Sequence, residues 1–260
     1  MSIRNKISKS RLLYTFLILS LISFSCKEQE DVAEKFKVYT IGDSTMANKS
    51  ANRFPETGWG QVLSSYFESR VVVENHAING RSTKSFINEG RWKKIVDSLS
   101  VGDYVFIQFG HNDEKSYDTT VYAAPYGLYK SNLEKFVNET RAKKAIPILF
   151  TPIPRRIFKN GKLSETHGEY PKVVQLVSQE MEVVLVDLNQ LATDYINNLG
   201  EEPSKEIYLW VDPCANYPNG NQDNSHLSEK GAHQFASLAV TDLKRKVPFL
   251  ARYIIKENEK

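Results

Sequence analysis

Short apolar runs alternate with longer segments of helical periodicity along this chain, and this alternation limits the fold more than any other feature of the sequence. The short runs have the length and the β-branched character of buried strands, and the longer segments resemble amphipathic helices. The strand-like runs cover residues 36–41, 71–78, 103–109, 146–151 and 183–188. The pattern predicts one α/β domain with a mostly parallel sheet and helices on both faces.

The segments between these runs predict helices over residues 58–67, 84–99, 128–144, 171–181, 189–199 and 227–247. Two further stretches, 114–127 and 200–223, are predicted as loops because they combine polar residues with Pro and Gly. Pro147 is awkward in a central strand, which indicates either an edge strand or the start of a strand.

Three of the predicted strands end in polar turns that contain candidate catalytic residues. Ser44 follows the first strand, Gly80 the second and Asn112 the third. Right-handed crossovers bring the carboxyl ends of parallel strands to one edge of the sheet, where ligands bind in open α/β folds. Each turn also has an ordinary structural explanation, an Asx turn, a helix cap or a turn glycine. The convergence of all three therefore carries the functional interpretation.

Ser44 needs a base and a group that orients the base, because a serine hydroxyl is a weak nucleophile until its proton is removed. His226 and Asp223 are the best candidates for these two roles. They lie three residues apart at the predicted entry to the last helix, so we expect Asp223 to accept from the imidazole Nδ1–H and to leave Nε2 free for Ser44. The backbone N–H groups of Ser44 and Gly80 and the side-chain amide of Asn112 are candidate oxyanion donors.

The other four histidines are weaker candidates for the base. His76 lies within a predicted strand, where a hydrogen-bonded core role is favoured. His233 lies inside the last predicted helix, which favours a partly buried position on the helix face. His111 and His167 are predicted loop residues that can contact substrate.

Four sequence blocks resemble those of the SGNH, or GDSL-type, hydrolases, and they occur in that family's order. They are Gly42-Asp43-Ser44, Gly80, Gly110-His111-Asn112-Asp113 and Asp223-x-x-His226. More detailed sequence features, including Thr45 after the serine and the motif Thr151-Pro-x-Pro-Arg-Arg156, resemble those of rhamnogalacturonan acetylesterases, which remove acetyl groups from pectin.

This resemblance implies a three-layer, flavodoxin-like fold and a serine esterase that needs neither a metal nor another cofactor. It implies Ser44 as the nucleophile, His226 as the base, Asp223 as its orienter, and an oxyanion hole from Ser44, Gly80 and Asn112. The expected substrate is acetylated rhamnogalacturonan, with acetylated xylan or another acylated carbohydrate as the alternative.

Two other classes of protein match parts of the sequence. The block around His111 is nearly an anagram of the Gly-Asn-His-Asp/Glu block of metallophosphoesterases, but the order differs and an early Asp-x-His ligand pair is missing. A surface lipoprotein that binds polysaccharide without catalysis would use exposed aromatic residues but would not need the four blocks. The candidate aromatic residues are Tyr117, Tyr122, Tyr126, Trp210 and Tyr217.

The first 26 residues differ in kind from the rest of the chain. Four basic residues precede an apolar run from Leu12 to Phe24, and no acidic residue occurs before Glu28. The run is shorter than the roughly 20 residues of a membrane-spanning helix, and the pattern is typical of a signal peptide. The segment Leu21–Cys26 resembles a bacterial lipobox, which predicts acylation of Cys26; the alternative is an ordinary signal peptide with an incidental cysteine.

We therefore expect a lipoprotein-type signal peptide over residues 1–25, a tether over 26–35 and one hydrolase domain over 36–260. The protein is then exported and anchored by lipid in the bacterial outer membrane, either surface-exposed or periplasmic. Removing the four basic residues of the leader from the 34 in the chain leaves 30, against 31 acidic residues, a net charge of −1. This balance predicts no nucleic-acid partner and no membrane contact beyond the lipid anchor. Cys214 is left without an intramolecular disulfide partner.

Overall fold

A parallel β-sheet forms the centre of the computed structural model, which describes residues 35–255. The strands of this part are β1 (Phe36–Gly42), β2 (Val71–Asn75), β3 (Tyr104–Gln108), β4 (Ile146–Phe150), β5 (Phe158–Lys159), β6 (Lys162–Leu163), β7 (Val184–Val186), β8 (Tyr208–Val211) and β9 (Asn221–Leu227). Five of them form the central sheet in the order β2-β1-β3-β4-β7, with every neighbouring pair parallel. The pairs β5–β6 and β8–β9 are separate antiparallel hairpins.

The α-helices of the described part are α1 (Thr83–Asn88), α2 (Arg91–Ser98), α3 (Lys130–Ala142), α4 (Tyr170–Glu180), α5 (Leu188–Leu199), α6 (Glu229–Lys246) and α7 (Pro248–Ala251). They cover both faces of the sheet. The face with Tyr39 and Val105 packs against α1 to α4, and the face with Val38 and Phe106 packs against α5 to α7. These three layers confirm the predicted α/β fold.

Pro147 is the second residue of β4 and lies opposite Val105 of β3. Because β4 lies between β3 and β7, the prediction of an edge strand is wrong and that of a strand start is right. Proline has no backbone N–H, so Pro147 removes one hydrogen-bond donor near the start of β4. An interior strand tolerates this loss better at its start than at its centre.

The helix predicted over residues 58–67 is absent, and the structure has turns followed by a short 3₁₀ segment at Leu63–Tyr66. The N–H groups at the start of this stretch are used by other parts of the chain, since Thr57 N donates to Leu227 O (3.1 Å) and Trp59 N to Thr45 O (3.0 Å). Apolar residues at helical spacing are nevertheless buried, including Trp59 and Leu63.

Two other predicted segments differ from the structure. The helix over 84–99 is divided into α1 and α2 by Gly90, whose left-handed φ of +68° interrupts the helical path. The loop predicted over 200–223 contains a 3₁₀ turn at Pro203–Glu206, strand β8 and the start of β9. The last long helix starts two residues later than predicted, because Ser228 caps it by accepting from Gly231 N (3.1 Å).

The predicted signal peptide, most of the predicted tether and the lipidation site Cys26 lie outside the described residues. Within residues 35–255, no helix combines the length and the apolar character that crossing a bilayer requires. Cys214 is an exposed, free thiol.

Candidate active site

The turn after β1 presents Ser44 at the carboxyl edge of the sheet. The chain passes so close to β3 that a Cβ on Gly42 would lie 2.6 Å from Gln108 O, so only glycine is accommodated there. Asp43 is fully buried, and its Oδ1 accepts from Thr45 N (3.0 Å) and Thr45 Oγ1 (2.8 Å). The Asx turn that explains this motif structurally is therefore present, and it is also the element that presents the hydroxyl.

Asp223 and His226 lie on β9, in a bulge of the β8–β9 hairpin. Tyr208 pairs with Leu227, but the next residue, Leu209, pairs with Asp223, so residues 224–226 protrude from the ladder. The bulge is closed by Asp223 Oδ1, which accepts from Ser225 N (2.7 Å) and His226 N (3.0 Å). The two side chains thus lie on one turn, as predicted, but the expected helix entry is wrong and the turn belongs to a strand.

The three side chains form a continuous chain of hydrogen bonds. His226 Nδ1 lies 2.7 Å from Asp223 Oδ2, and His226 Nε2 lies 2.9 Å from Ser44 Oγ. Burial opposes ionisation of Asp223, but hydrogen bonds from the ring and the backbone N–H of His226 outweigh it and lower the pKa of the carboxyl below its ordinary value. An ionised Asp223 holds the proton of the imidazole on Nδ1, which leaves Nε2 as an acceptor for the hydroxyl proton.

Two backbone donors are free at this edge. Neither Ser44 N nor Gly80 N has an acceptor within residues 35–255. Gly80 has a φ of +76°, and a Cβ there would meet no atom within 4 Å, so the turn requires glycine for its backbone conformation and not for lack of space. The turn is tied to the nucleophile turn by Ile78 N, which donates to Gly42 O (3.0 Å).

Asn112 is buried in the turn that follows β3, with its amide held from both sides. Its Nδ2 donates to Arg81 O (2.9 Å), and its Oδ1 accepts from Lys115 Nζ (2.7 Å). An NH₂ group has two hydrogens, so one remains for a ligand. The Lys115 contact fixes which side of the amide carries the donors, a role that the sequence did not reveal.

The remaining histidines stand apart from this chain of hydrogen bonds. His111 and His167 are only 5% and 2% exposed and pack edge to face at 4.4 Å, and their contact with substrate stays a prediction. His76 is half-buried beside Glu74 and not in the core, and His233 is exposed on α6. Among the described residues, no three His, Cys, Asp or Glu side chains converge as metal ligands do.

A second buried carboxyl, Asp113, lies beneath the site. Its Oδ1 accepts from Thr83 N (2.9 Å) and Thr83 Oγ1 (2.5 Å), and its Oδ2 has no partner in the described part of the chain. Burial raises the pKa of Asp113 to about 8 despite these two hydrogen bonds. The folded protein therefore holds a proton here that the unfolded chain loses at about pH 4.

We expect this proton to make the protein less stable as the pH rises. Between about pH 4 and pH 8 the unfolded state binds fewer protons than the folded state at Asp113, so the free energy of unfolding falls by at most about 1.4 kcal/mol per pH unit, and it levels off above about pH 8. Asp113→Asn cannot ionise, and its melting temperature should change less between pH 5 and pH 8. Asp97→Asn, which alters an exposed carboxylate on α2, is the control; curves for D113N and wild type that run parallel contradict the assignment.

Arg156 anchors the bulge from behind. Its backbone N donates to Asn224 O (2.7 Å), and its guanidinium donates to Asn224 Oδ1 (3.3 Å), Ser204 Oγ (2.9 Å) and Glu201 O (2.5 Å). The guanidinium is 5.1 Å from the ring of Trp210, whose Nε1 also donates to Asn224 Oδ1 (2.8 Å). Asn224 lies between Asp223 and His226, so Arg156 is a positioning residue for both. Only its place in the Thr151–Arg156 motif marked it in the sequence.

Arg156→Met is expected to lower kcat about 10- to 100-fold with little change in KM, because a shift of about 1 Å in the imidazole disrupts proton transfer. The variant keeps most of the apolar contact with Trp210 and removes the donors. Steady-state kinetics on one soluble ester, with a thermal melt to verify folding, measure the effect. Arg141→Met, at an exposed arginine that donates to Glu182 O, is the matched control. Equal kcat values for R156M and R141M would rule out the positioning role.

Comparisons with known proteins extend these observations. The model of the GDSL-like Lipase/Acylhydrolase family matches residues 40–233, which include the turns of Ser44, Gly80 and Asn112 and the Asp223–His226 bulge. Rhamnogalacturonan acetylesterase RhgT of Bacillus subtilis is 40% identical over 205 residues, covering 78% of this chain and 87% of that protein. A probable rhamnogalacturonan acetylesterase of the same organism, YesY, is 33% identical over 222 residues, covering 85% of this chain and 98% of that protein.

The fold has a close match among solved structures. The crystal structure of the protein YxiM from Bacillus subtilis superimposes with a TM-score of 0.71 at 28% identity. The match covers 81% of this chain and 56% of that longer chain, so the shared part is just over half of the neighbour.

Proposed function

This chain belongs to the GDSL-like Lipase/Acylhydrolase family, and from that membership and its site we infer that it is a serine esterase that removes O-acetyl groups from a plant cell-wall polysaccharide. The observation that carries the mechanism is the chain of hydrogen bonds from Asp223 Oδ2 through His226 to Ser44 Oγ, with distances of 2.7 and 2.9 Å. The substrate that we propose is acetylated rhamnogalacturonan, on the strength of the two similar proteins that carry that name.

The first half of the reaction forms an acetyl-enzyme. Ser44 Oγ attacks the acetyl carbonyl carbon while His226 Nε2 takes the hydroxyl proton. The negative charge that develops on the carbonyl oxygen is stabilised by Ser44 N, Gly80 N and the free N–H of Asn112, each worth about 2.7–4 kcal/mol in sites of this kind. The C–O bond to the sugar then breaks, and the sugar oxygen leaves with the proton from His226.

The second half returns the enzyme to its starting state. Water takes the place of the sugar hydroxyl and gives a proton to His226 Nε2 as it attacks the acetyl carbon. The bond to Ser44 Oγ breaks, Oγ regains the proton from the imidazole, and acetic acid leaves and releases its proton to solvent. Asp223 stays ionised throughout and stabilises the imidazolium that forms twice in each cycle.

A polysaccharide-binding protein without catalysis is the competing class. Of the aromatic residues that the sequence offered for such a surface, Tyr117 and Tyr126 are exposed, whereas Tyr122, Trp210 and Tyr217 are half-buried. An oriented nucleophile and base at 2.9 Å have no use in a binding protein, which favours the esterase.

Release of acetate from two polysaccharides tests the proposal. We expect the wild-type protein to release acetate faster from acetylated rhamnogalacturonan than from acetylated xylan at equal acetyl content. Faster release from acetylated xylan would overturn the proposed substrate but not the proposed mechanism. Carbohydrate binding without acetate release would instead support the binding protein.

The location of the enzyme is a separate part of the proposal. We place it outside the cytoplasm, lipid-anchored through Cys26, on the basis of the basic residues, the apolar run and the lipobox-like segment of the leader. Mass spectrometry of the membrane-extracted protein tests this: an acylated N-terminal Cys26 is the expected result, and an unmodified leader would contradict it.

A further inference from the structure

A cavity of about 450 Å³ lies between the segments 114–125 and 155–170. Its polar and aromatic lining includes Glu114, Lys115, Tyr117, Arg155, Thr166 and Glu169. We call it the Lys115 pocket. Lys115 connects it to the site, because its Nζ donates to Asn112 Oδ1 at 2.7 Å.

The charges that line the Lys115 pocket are paired, with one exception. Glu114 accepts from Arg155 and lies 2.9 Å from His167 Nδ1. Glu169 pairs with Lys172 at 2.8 Å and accepts from Tyr126 OH at 2.7 Å. These two carboxylates are therefore engaged within the protein.

Lys115 is the exception. It takes part in no ion pair with the described residues, and its side-chain contact is the neutral amide of Asn112. The acid on its own loop, Asp118, forms no ion pair with Lys115 within residues 35–255; its Oδ1 accepts from Thr120 N (2.9 Å) and Thr120 Oγ1 (2.6 Å). A half-buried ammonium group with a neutral partner attracts an anion, and two of its three N–H donors remain for one.

The pocket also offers what a sugar ring requires. Tyr117 is 84% exposed at its rim, and an exposed aromatic face of this kind packs against the apolar face of a pyranose. Thr166 Oγ1 accepts from Arg155 N (3.0 Å) and keeps its own hydrogen to donate to a sugar hydroxyl. A cation, an aromatic face and hydroxyl partners together fit a sugar that carries a carboxylate.

We propose that the Lys115 pocket is a subsite for a uronic acid residue of the polysaccharide and that Lys115 binds its carboxylate. This inference rests on the proposed esterase function and extends it to substrate selection. A bound uronate brings the acetylated part of the polymer close to Asn112, because the same ammonium group contacts the carboxylate and Asn112 Oδ1. Polymers without carboxylates gain nothing from the pocket, so it favours acetylated rhamnogalacturonan over acetylated xylan.

The test pairs a change in the enzyme with a change in the substrate. Acetylated rhamnogalacturonan oligosaccharides are prepared with free carboxylates and, from the same batch, with methyl-esterified carboxylates, and only acetate is measured. We expect the wild-type protein to have a kcat/KM about tenfold higher for the free-acid form, as a charge-assisted contact provides. The advantage should shrink in high salt.

Lys115→Met is expected to reduce this ratio to near one, and Lys115→Arg to retain most of it. The ratio separates the subsite from the contact with Asn112, because both forms of the substrate use the same oxyanion donors and a misplaced Asn112 slows both equally. Lys93→Met, at an exposed lysine on α2, is the control for loss of a positive charge.

The outcomes are distinct. A wild-type ratio of one, or K115M lowering both activities by the same factor, overturns the subsite and leaves the esterase in place. Absence of acetate release from both forms overturns the proposed function, and the subsite with it.

Discussion

Ser44→Ala is expected to lower kcat for acetate release by at least about 10⁴-fold, because no other hydroxyl lies within hydrogen-bond reach of His226 Nε2 in the described part of the chain. The remaining rate comes from the oxyanion donors and from substrate binding, which the substitution does not touch. Acetate release under steady-state conditions, with a second assay on 4-nitrophenyl acetate, measures the loss for both polymeric and small esters.

The fold should tolerate this change. Ser44 is half-buried, and among residues 35–255 its hydroxyl forms a hydrogen bond with His226 alone, so the melting temperature of the variant should stay close to that of the wild type. Ser65→Ala, at an exposed serine that donates to Val62 O, serves as the matched control and should keep full activity. Wild-type rates for S44A would place the nucleophile elsewhere.

Asp223→Asn is expected to lower kcat about 10⁴-fold while leaving the bulge intact. Oδ1 of Asp223 accepts from two backbone N–H groups, so the carbonyl oxygen of the asparagine must take that place. The NH₂ group then faces His226 Nδ1 and donates to it. The imidazole is forced to carry its proton on Nε2, where it can no longer accept one from Ser44.

Because the orientation of the asparagine amide is fixed, Asp223→Asn tests the tautomer more specifically than removal of the side chain by Asp223→Ala. D223N should keep the wild-type KM and melting temperature, whereas Asp223→Ala should lose the bulge as well. Asp212→Asn, at an exposed carboxylate on the same hairpin, is the control. A kcat for D223N within a factor of ten of the wild type would mean that Asp223 does not set the tautomer.

The sheet could be predicted from the sequence because its strands are buried on both faces. All five residues of β3 are buried, and such a strand reads as a continuous apolar run. The hairpin strand β9 has no such pattern, since Asn221–Leu227 is almost entirely polar and is shaped by side-chain bonds to its own backbone. Such a segment shows neither the two-residue alternation nor the β-branched residues of a strand. The sequence therefore predicts a loop and the entry to a helix there.

The site divides in the same way. Ser44, Asp223 and His226 could be predicted because their chemistry limits the choice of residue and because they lie at strand ends or three residues apart. The positions of Arg156 and Lys115 could not be derived from any spacing. Arg156 reaches Asn224 across 68 residues, and Lys115 is distinguished by having no acidic partner within residues 35–255, which only the folded chain reveals.

The bulge of β9 also determines how the site can be switched off. Asp223 and His226 are joined to each other by two hydrogen bonds within one short segment, whereas Ser44 follows a strand of the central sheet and meets them through the contact between His226 and Ser44, side chains 182 residues apart. A displacement of the hairpin therefore moves acid and base as one rigid piece. It lengthens the bond to the nucleophile first and leaves an imidazole that is correctly oriented but out of reach. A movement of the hairpin thus changes the distance from His226 Nε2 to Ser44 Oγ, whereas the geometry of the Asp223–His226 pair stays the same.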